Sequence, residues 1–328
     1  MSEVTMDKTA GELVLVASGI RDRQRGDGAS DTAWVRRYPG LGSQKTYAKI
    51  CGGDVEGLDP ERWLLDYRAV AALLEVLDGA EQAEPLYDDL SPVMALRAAL
   101  SGAMREQSNR RLILVVGEPG HGKTTAARLA GGRYGGRVVM AEADETWKDS
   151  AGAMLGGMLR ACGARDIPLS AADRLTALTE RLRIARTCVV IDEAHHLGPR
   201  TLNLVKTLIN QTPGEFVFLC LPTLWRRLET QAYDECRQLT TNRLFERIAL
   251  EGVSKQDAAR MIERRVPGIN GSAVQAAELA RSDARKRGGL AWVSAVCAQA
   301  RRLAGDAECD VETFARGVAR AAQQRGVA

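Results

Sequence analysis

The chain has 328 residues, 45% of them apolar and 27% charged, the balance of a globular protein with room for two or three domains. No run reaches the apolar length of a membrane span and the N-terminus lacks a signal-peptide core, so no membrane association is expected and the cytoplasm is the expected compartment. A net charge of +3 does not by itself announce a nucleic-acid binder, and seven cysteines without a C-x-x-C pair read as reduced core residues.

In chain order, residues 1–12 carry no clear pattern and disorder is expected there, while 13–25 read as a weak helix. Ser30-Asp31-Thr32 opens a short helix that Pro39-Gly40 stops; Ser43 caps a second, over 43–50, that ends at Gly52-Gly53. Two short helices around a glycine turn outline a helix-turn-helix, whose second helix would carry Lys45 and Lys49 into a DNA groove. A small protein-interaction domain has the same outline. An amphipathic stretch over 59–78, with Trp63, Tyr67 and Leu74 at helical spacing, closes this first domain, 1–78. The polar segment 79–90 follows as a linker.

Next, 91–107 reads as a helix. Strand-like runs at 112–116, 137–142, 187–191 and 216–221 then alternate with helical patterns at 123–131, 150–162, 170–183 and 200–211. Such alternation means a mainly parallel sheet with helices on both faces, and strands of Val, Ile and Leu suit a sheet buried on both sides. From 254 onward the pattern is all helix, over 255–266, 273–287, 290–304 and 311–325. The expected architecture is therefore an α/β core, 91–253, with a C-terminal helical region, 254–328.

Within the core, Gly117-Glu118-Pro119-Gly120-His121-Gly122-Lys123-Thr124 fits the phosphate-loop pattern G-x-x-x-x-G-K-[ST] and sits between a strand and a helix. Glycines at 117, 120 and 122 let successive N–H groups turn toward phosphate oxygens, and the following helix adds the positive end of its dipole. Lys123 is placed to reach the β- and γ-phosphates and Thr124 to ligate Mg²⁺, with Thr125 next to it in the first helical turn. ATP and Mg²⁺ are the expected ligands.

About 65 residues on, Cys188-Val189-Val190-Ile191 runs into Asp192-Glu193. Carboxylates at that strand end fall beside the phosphate loop, because ligands of parallel sheets bind at the strands' carboxyl ends. Asp192 would serve the Mg²⁺ shell and Glu193 would orient and deprotonate the attacking water. The letters Asp192-Glu193-Ala194-His195 also spell a helicase box, but too few residues remain for the second domain such helicases need. Nor is H-E-x-x-H present: His195 and His196 are adjacent, and as neighbours are expected to face different directions. His195 either couples the γ-phosphate to a neighbouring loop or makes an ordinary hydrogen bond. Thr223, just past the 216–221 strand, is a candidate contact to the γ-phosphate or the water. Arg243 and Arg247 are candidates for an arginine finger reaching a neighbouring subunit, with a surface ion pair as the plainer role for each.

These motifs, from residue 91 to the end, resemble the AAA+ ATPases. More narrowly, Ile191-Asp192-Glu193-Ala194-His195, the 239–248 segment and Gly288-Gly289-Leu290-Ala291-Trp292-Val293 resemble the phage Mu B transposition protein and related transposon ATPase subunits. The resemblance implies a slow, partner-stimulated ATPase that forms oligomers or filaments on double-stranded DNA without much sequence preference and delivers it to a transposase. It implies Arg243 as the subunit-bridging arginine, the N-terminal helices as an accessory DNA contact, and Trp147-Lys148 as part of the DNA face. One departure is that Ala291 stands where such lids often carry an arginine, leaving Arg285 or Arg287 as substitutes. Secretion-associated ATPases and protein-directed switches share the core motifs.

Overall fold

The computed structural model describes residues 3–80, 87–106, 108–134, 136–305 and 307–325. Four helices, α1 (Glu3–Gly26), α2 (Asp31–Arg37), α3 (Gln44–Cys51) and α4 (Pro60–Ala80), form the first unit. Ser30 and Ser43 cap α2 and α3 by accepting from Ala33 N–H and Thr46 N–H, as their sequence positions suggest. The core of this unit is Trp34, Tyr47 and Tyr67 with Leu13, Ile20 and Ile50. The expectation of disorder is corrected over 3–12, since α1 begins at Glu3, and its buried positions among the described side chains include Leu13, Ala17 and Ile20. The unit is seated on the rest of the chain, because Ala185 belongs to its core and Arg186 N–H donates to Arg37 O over 2.8 Å.

After α5 (Ser91–Glu106), five strands build one sheet: β1 (Leu112–Gly117), β2 (Arg137–Glu142), β3 (Thr187–Asp192), β4 (Phe216–Cys220) and β5 (Leu244–Leu250). Every pair is parallel and the order is β2-β3-β4-β1-β5. Between them run α6 (Lys123–Gly131), α7 (Ala151–Ala161), α8 (Ala171–Ile184), α9 (Pro199–Gln211) and α10 (Pro222–Leu228). The pleat divides β1 between two cores. Leu112, Leu114 and Val116 face α7, α8 and α9, whereas Ile113 and Val115 face α5 and α6. Both faces being covered, β1, β3 and β4 are buried throughout.

Two elements escape the sequence reading. β5 is an edge strand carrying Glu246 and Arg247 on exposed positions, so its composition does not resemble the buried strands. Helix α10 has seven residues, too few to show a helical period. The helices α11 (Lys255–Arg265), α12 (Ala273–Arg287), α13 (Gly289–Ala304) and α14 (Val311–Gln324) pack around Trp292 and Phe314. Residues 81–86 of the expected linker lie outside the described residues. All seven cysteines are free thiols and all but Cys51 are buried. Among the described residues no helix is long and apolar enough to cross a membrane.

Candidate functional site

Because β4 lies between β1 and β3, the carboxyl ends of these three strands stand side by side. The loop leaving β1 turns at Gly120 (φ 78°) and Gly122 (φ 85°), conformations that residues with a Cβ avoid. Lys123 opens α6 and is buried, its Nζ donating to Gly117 O over 2.8 Å and Glu118 O over 3.1 Å. The ammonium thus sits inside the loop's own curve, satisfied by backbone carbonyls. Glu118, Pro119 and Thr125 are exposed. His121 is buried and anchors the loop to β5, its Nδ1 lying 2.8 Å from Leu250 O.

Thr124 Oγ1 donates to Asp192 Oδ2 over 2.6 Å, joining α6 to the end of β3. Asp192 is 8% exposed, and its other oxygen accepts the Glu193 N–H over 2.9 Å. A hydroxyl and a carboxylate side by side are hard oxygen donors, the chemistry Mg²⁺ prefers, so these residues fit that ion. Glu193 is the single non-glycine residue with positive φ (51°) among those described. Such a conformation costs about 1–3 kcal/mol and persists only where its surroundings enforce it. Here the Asp192 hydrogen bond holds one side and the turn closed by His196 N–H on Glu193 O, 3.0 Å, holds the other.

The loop lines a cavity of about 370 Å³ that Lys123, Thr124 and Glu193 share with the C-terminal helices. Its far wall comes from Tyr87, Leu90, Met261, Arg265 and Leu290, which sequence reasoning missed. Tyr87 and Leu90 fall in the stretch read as linker. Arg265, at the end of α11, donates to Tyr87 Oη and Ser294 Oγ and stacks over the Tyr87 ring at 5.2 Å. The start of α13 rests directly on the loop, with Ala291 N–H donating to Gly120 O over 3.0 Å. A Cβ on Gly120 would come within 2.4 Å of Gly288 O, so only glycine admits this approach. Ala291 therefore meets the loop through its backbone. The side chains of Arg285 and Arg287 lie outside the described residues, and the described arginine that lines the cavity is Arg265.

His195 and His196 follow Glu193 in a single 3-10 turn, Ala194–His196. Contrary to the expectation that they diverge, their rings lie 4.4 Å apart with planes tilted by 34°. His195 Nδ1 is 3.2 Å from Glu193 Oε2 but not aligned as a hydrogen bond. Burial holds the His195 imidazole below its ordinary pKa, with Glu193 opposing. Thr223 is exposed at the start of α10 and lines a neighbouring cavity of about 350 Å³ with His195, His196 and Arg227.

Of the remaining candidates, Arg247 lines a second cavity, of about 460 Å³, with Gly117, Glu118 and His121 of the loop. Arg243 is half-buried and its Nε donates to Asn210 Oδ1 over 2.7 Å. Arg247, on β5, stacks its guanidinium over Trp225 at 4.5 Å. Lys45 is exposed, whereas Lys49 Nζ is engaged with Glu56 O and lies 3.5 Å from Asp54 Oδ1. Lys148 is exposed, but the Trp147 expectation is corrected. Its indole is 4% exposed, belongs to the main core and lies against Gly157, where a Cβ would approach it to 2.3 Å. A ring so packed has no face left for DNA.

Residues 105–228 match the family model of the AAA domain. No curated protein matches the chain. Among solved structures it is similar to the RuvB Holliday junction branch migration motor of Thermotoga maritima, at 17% identity over 70% of this chain and 68% of that one, TM-score 0.46. It is similar too to Cdc6p of Pyrobaculum aerophilum, at 15% identity over 76% and 66%, TM-score 0.48. A third is PCH-2 of C. elegans, at 14% identity over 72% and 68%, TM-score 0.44. The stretch that carries the phosphate loop and Asp192-Glu193 is thus similar to the AAA domain, and the chain folds as a five-stranded parallel α/β sheet with a phosphate-loop motif and a helical C-terminal region.

Proposed function

We propose that this protein is a Mg²⁺-dependent ATPase that binds double-stranded DNA in its ATP state. The observation that carries the ATPase reading is that Lys123, Thr124 and Glu193 line one cavity while Asp192 is bonded to both Thr124 Oγ1 and Glu193 N–H. Lys123 exchanges its loop carbonyls for phosphate oxygens, keeping its charge compensated. Thr124 and Asp192 would hold Mg²⁺, which when bound neutralises charge on the phosphates. Glu193, fixed by its backbone, turns a carboxylate toward the cavity to take a proton from water. The Tyr87–Arg265 pair, with Leu90 and Leu290, offers a flat cationic and apolar wall suited to a base.

DNA binding rests on the resemblance to transposon ATPases and on the exposed Lys45 and Lys148. To the same reading belong assembly into oligomers or filaments bridged by Arg243, and stimulation of a transposase by the DNA-bound protein. The experiment is duplex binding with ATP, with ADP and without nucleotide across a salt series. Sequence-indifferent binding is expected with ATP alone, weakening at least about tenfold between roughly 50 and 200 mM salt as counterions compete for the phosphates. Absence of binding with ATP at low salt would overturn the DNA reading in favour of a protein-directed switch, and would leave the ATPase reading in place.

A further inference from the structure

Beside Glu193 lies a cluster of ligating groups that ATP hydrolysis as proposed does not use. The adjacent imidazoles of His195 and His196 stand next to the Glu193 carboxylate, and one donor atom from each of the three residues lies within 4.8 Å of the other two. His195 Nδ1 is shut off from solvent, makes no hydrogen bond and faces Glu193 Oε2 at 3.2 Å. A buried ring nitrogen is costly to leave without a hydrogen bond, and a cation bound by both groups would satisfy it.

Two imidazole nitrogens and one carboxylate oxygen are the donor composition of zinc sites that keep a fourth position open. Mg²⁺ demands oxygen ligands in near-octahedral array and dehydrates reluctantly, so it is drawn to Thr124 and Asp192 instead. The two kinds of metal are thereby sorted by ligand chemistry across a few residues. We propose that Glu193, His195 and His196 form a site for one Zn²⁺-like divalent cation, whose binding withdraws the Glu193 carboxylate from water activation and inhibits hydrolysis. The inhibition rests on the ATPase reading above; the binding does not.

Zinc with bonds of about 2.0–2.1 Å keeps its ligands about 3.3 Å apart in a tetrahedron, so the cluster must contract slightly. The side chains of Glu193 and His196, 41% and 27% exposed, have room to do so. Glu145 adds negative charge, its Oε1 standing 3.2 Å from His196 Nδ1. Lys148 and Arg227 line the cavity that His195 and His196 share and oppose a cation, but Arg227 donates to His195 O and stacks over Tyr233 at 5.9 Å.

The test is titration of the full chain with Co²⁺, read by its visible absorption, followed by displacement with Zn²⁺. One equivalent should bind with nitrogen and oxygen ligation and without thiolate charge-transfer bands. Affinity should fall at least about tenfold in both His196→Ala and His195→Gln, each checked for native circular dichroism. Zn²⁺ in the presence of excess Mg²⁺ should slow ATP hydrolysis by the wild type more than by either variant, each relative to its own uninhibited rate. Thiolate bands, no stoichiometric binding, or equal affinity in all three proteins would overturn the site. A wild type that binds Co²⁺ as described but never hydrolyses ATP would leave the site standing and contradict the ATPase reading.

Discussion

The substitution Glu193→Gln should lower ATP hydrolysis by about 10²–10³-fold while ATP still binds with an affinity equal to or tighter than that of the wild type. The amide side chain keeps the size of the carboxylate, and the backbone contacts survive, including the N–H donated to Asp192 Oδ1, but no basic oxygen remains to take a proton. The loss should appear in kcat rather than in binding, because a general base acts in the transition state and leaves the ground-state complex alone. Removing a negative charge beside the triphosphate also removes a repulsion. Single-turnover hydrolysis and equilibrium binding of a fluorescent ATP analogue measure the two effects separately. Hydrolysis within about threefold of wild type would remove Glu193 from the reaction.

Lys123→Ala should instead act on both binding and hydrolysis. The ammonium, on a residue 6% exposed and bonded to Gly117 O and Glu118 O, is a cation held inside the loop's curve, ready to transfer to charged phosphate oxygens. Without it, ATP affinity is expected to fall at least about tenfold, and hydrolysis by at least about 10²-fold, the usual cost of removing a preorganised charge at a reacting centre. The fold should hold, since the Lys123 ammonium is bonded to carbonyls of its own loop and not to another element. Thermal unfolding with and without ATP separates the outcomes. The wild type should gain stability from the nucleotide by mass action and the variant should not. ATP stabilising both equally would contradict a phosphate-binding role for Lys123.

Much of this was legible in the residues. The phosphate loop and Asp192-Glu193 are each contiguous in the chain, and β1 and β3, which deliver them, are uniformly apolar because both faces are covered. What the sequence concealed is non-local or short. Tyr87 and Arg265 meet across the cavity from segments far apart in sequence, with no motif to join them. β5 hid behind Glu246 and Arg247, which an edge strand tolerates and a central one does not. Trp147 beside Lys148 in a polar turn looked like a surface pair, yet Gly157 on α7 opens a space for the indole in the core. The approach of the His195 and His196 rings occurs in a 3-10 turn that follows the positive φ of Glu193, which no sequence pattern announces.

The most direct measurement is phosphate release from ATP by the purified wild-type chain, with Mg²⁺ and with excess chelator, in the presence and absence of duplex DNA. Release that requires Mg²⁺ and stops with the chelator is expected, since Thr124 and Asp192 offer the oxygen pair that Mg²⁺ prefers. No release under any of these conditions, or release indifferent to the chelator, would contradict a Mg²⁺-dependent hydrolytic site built from the phosphate loop and Asp192-Glu193.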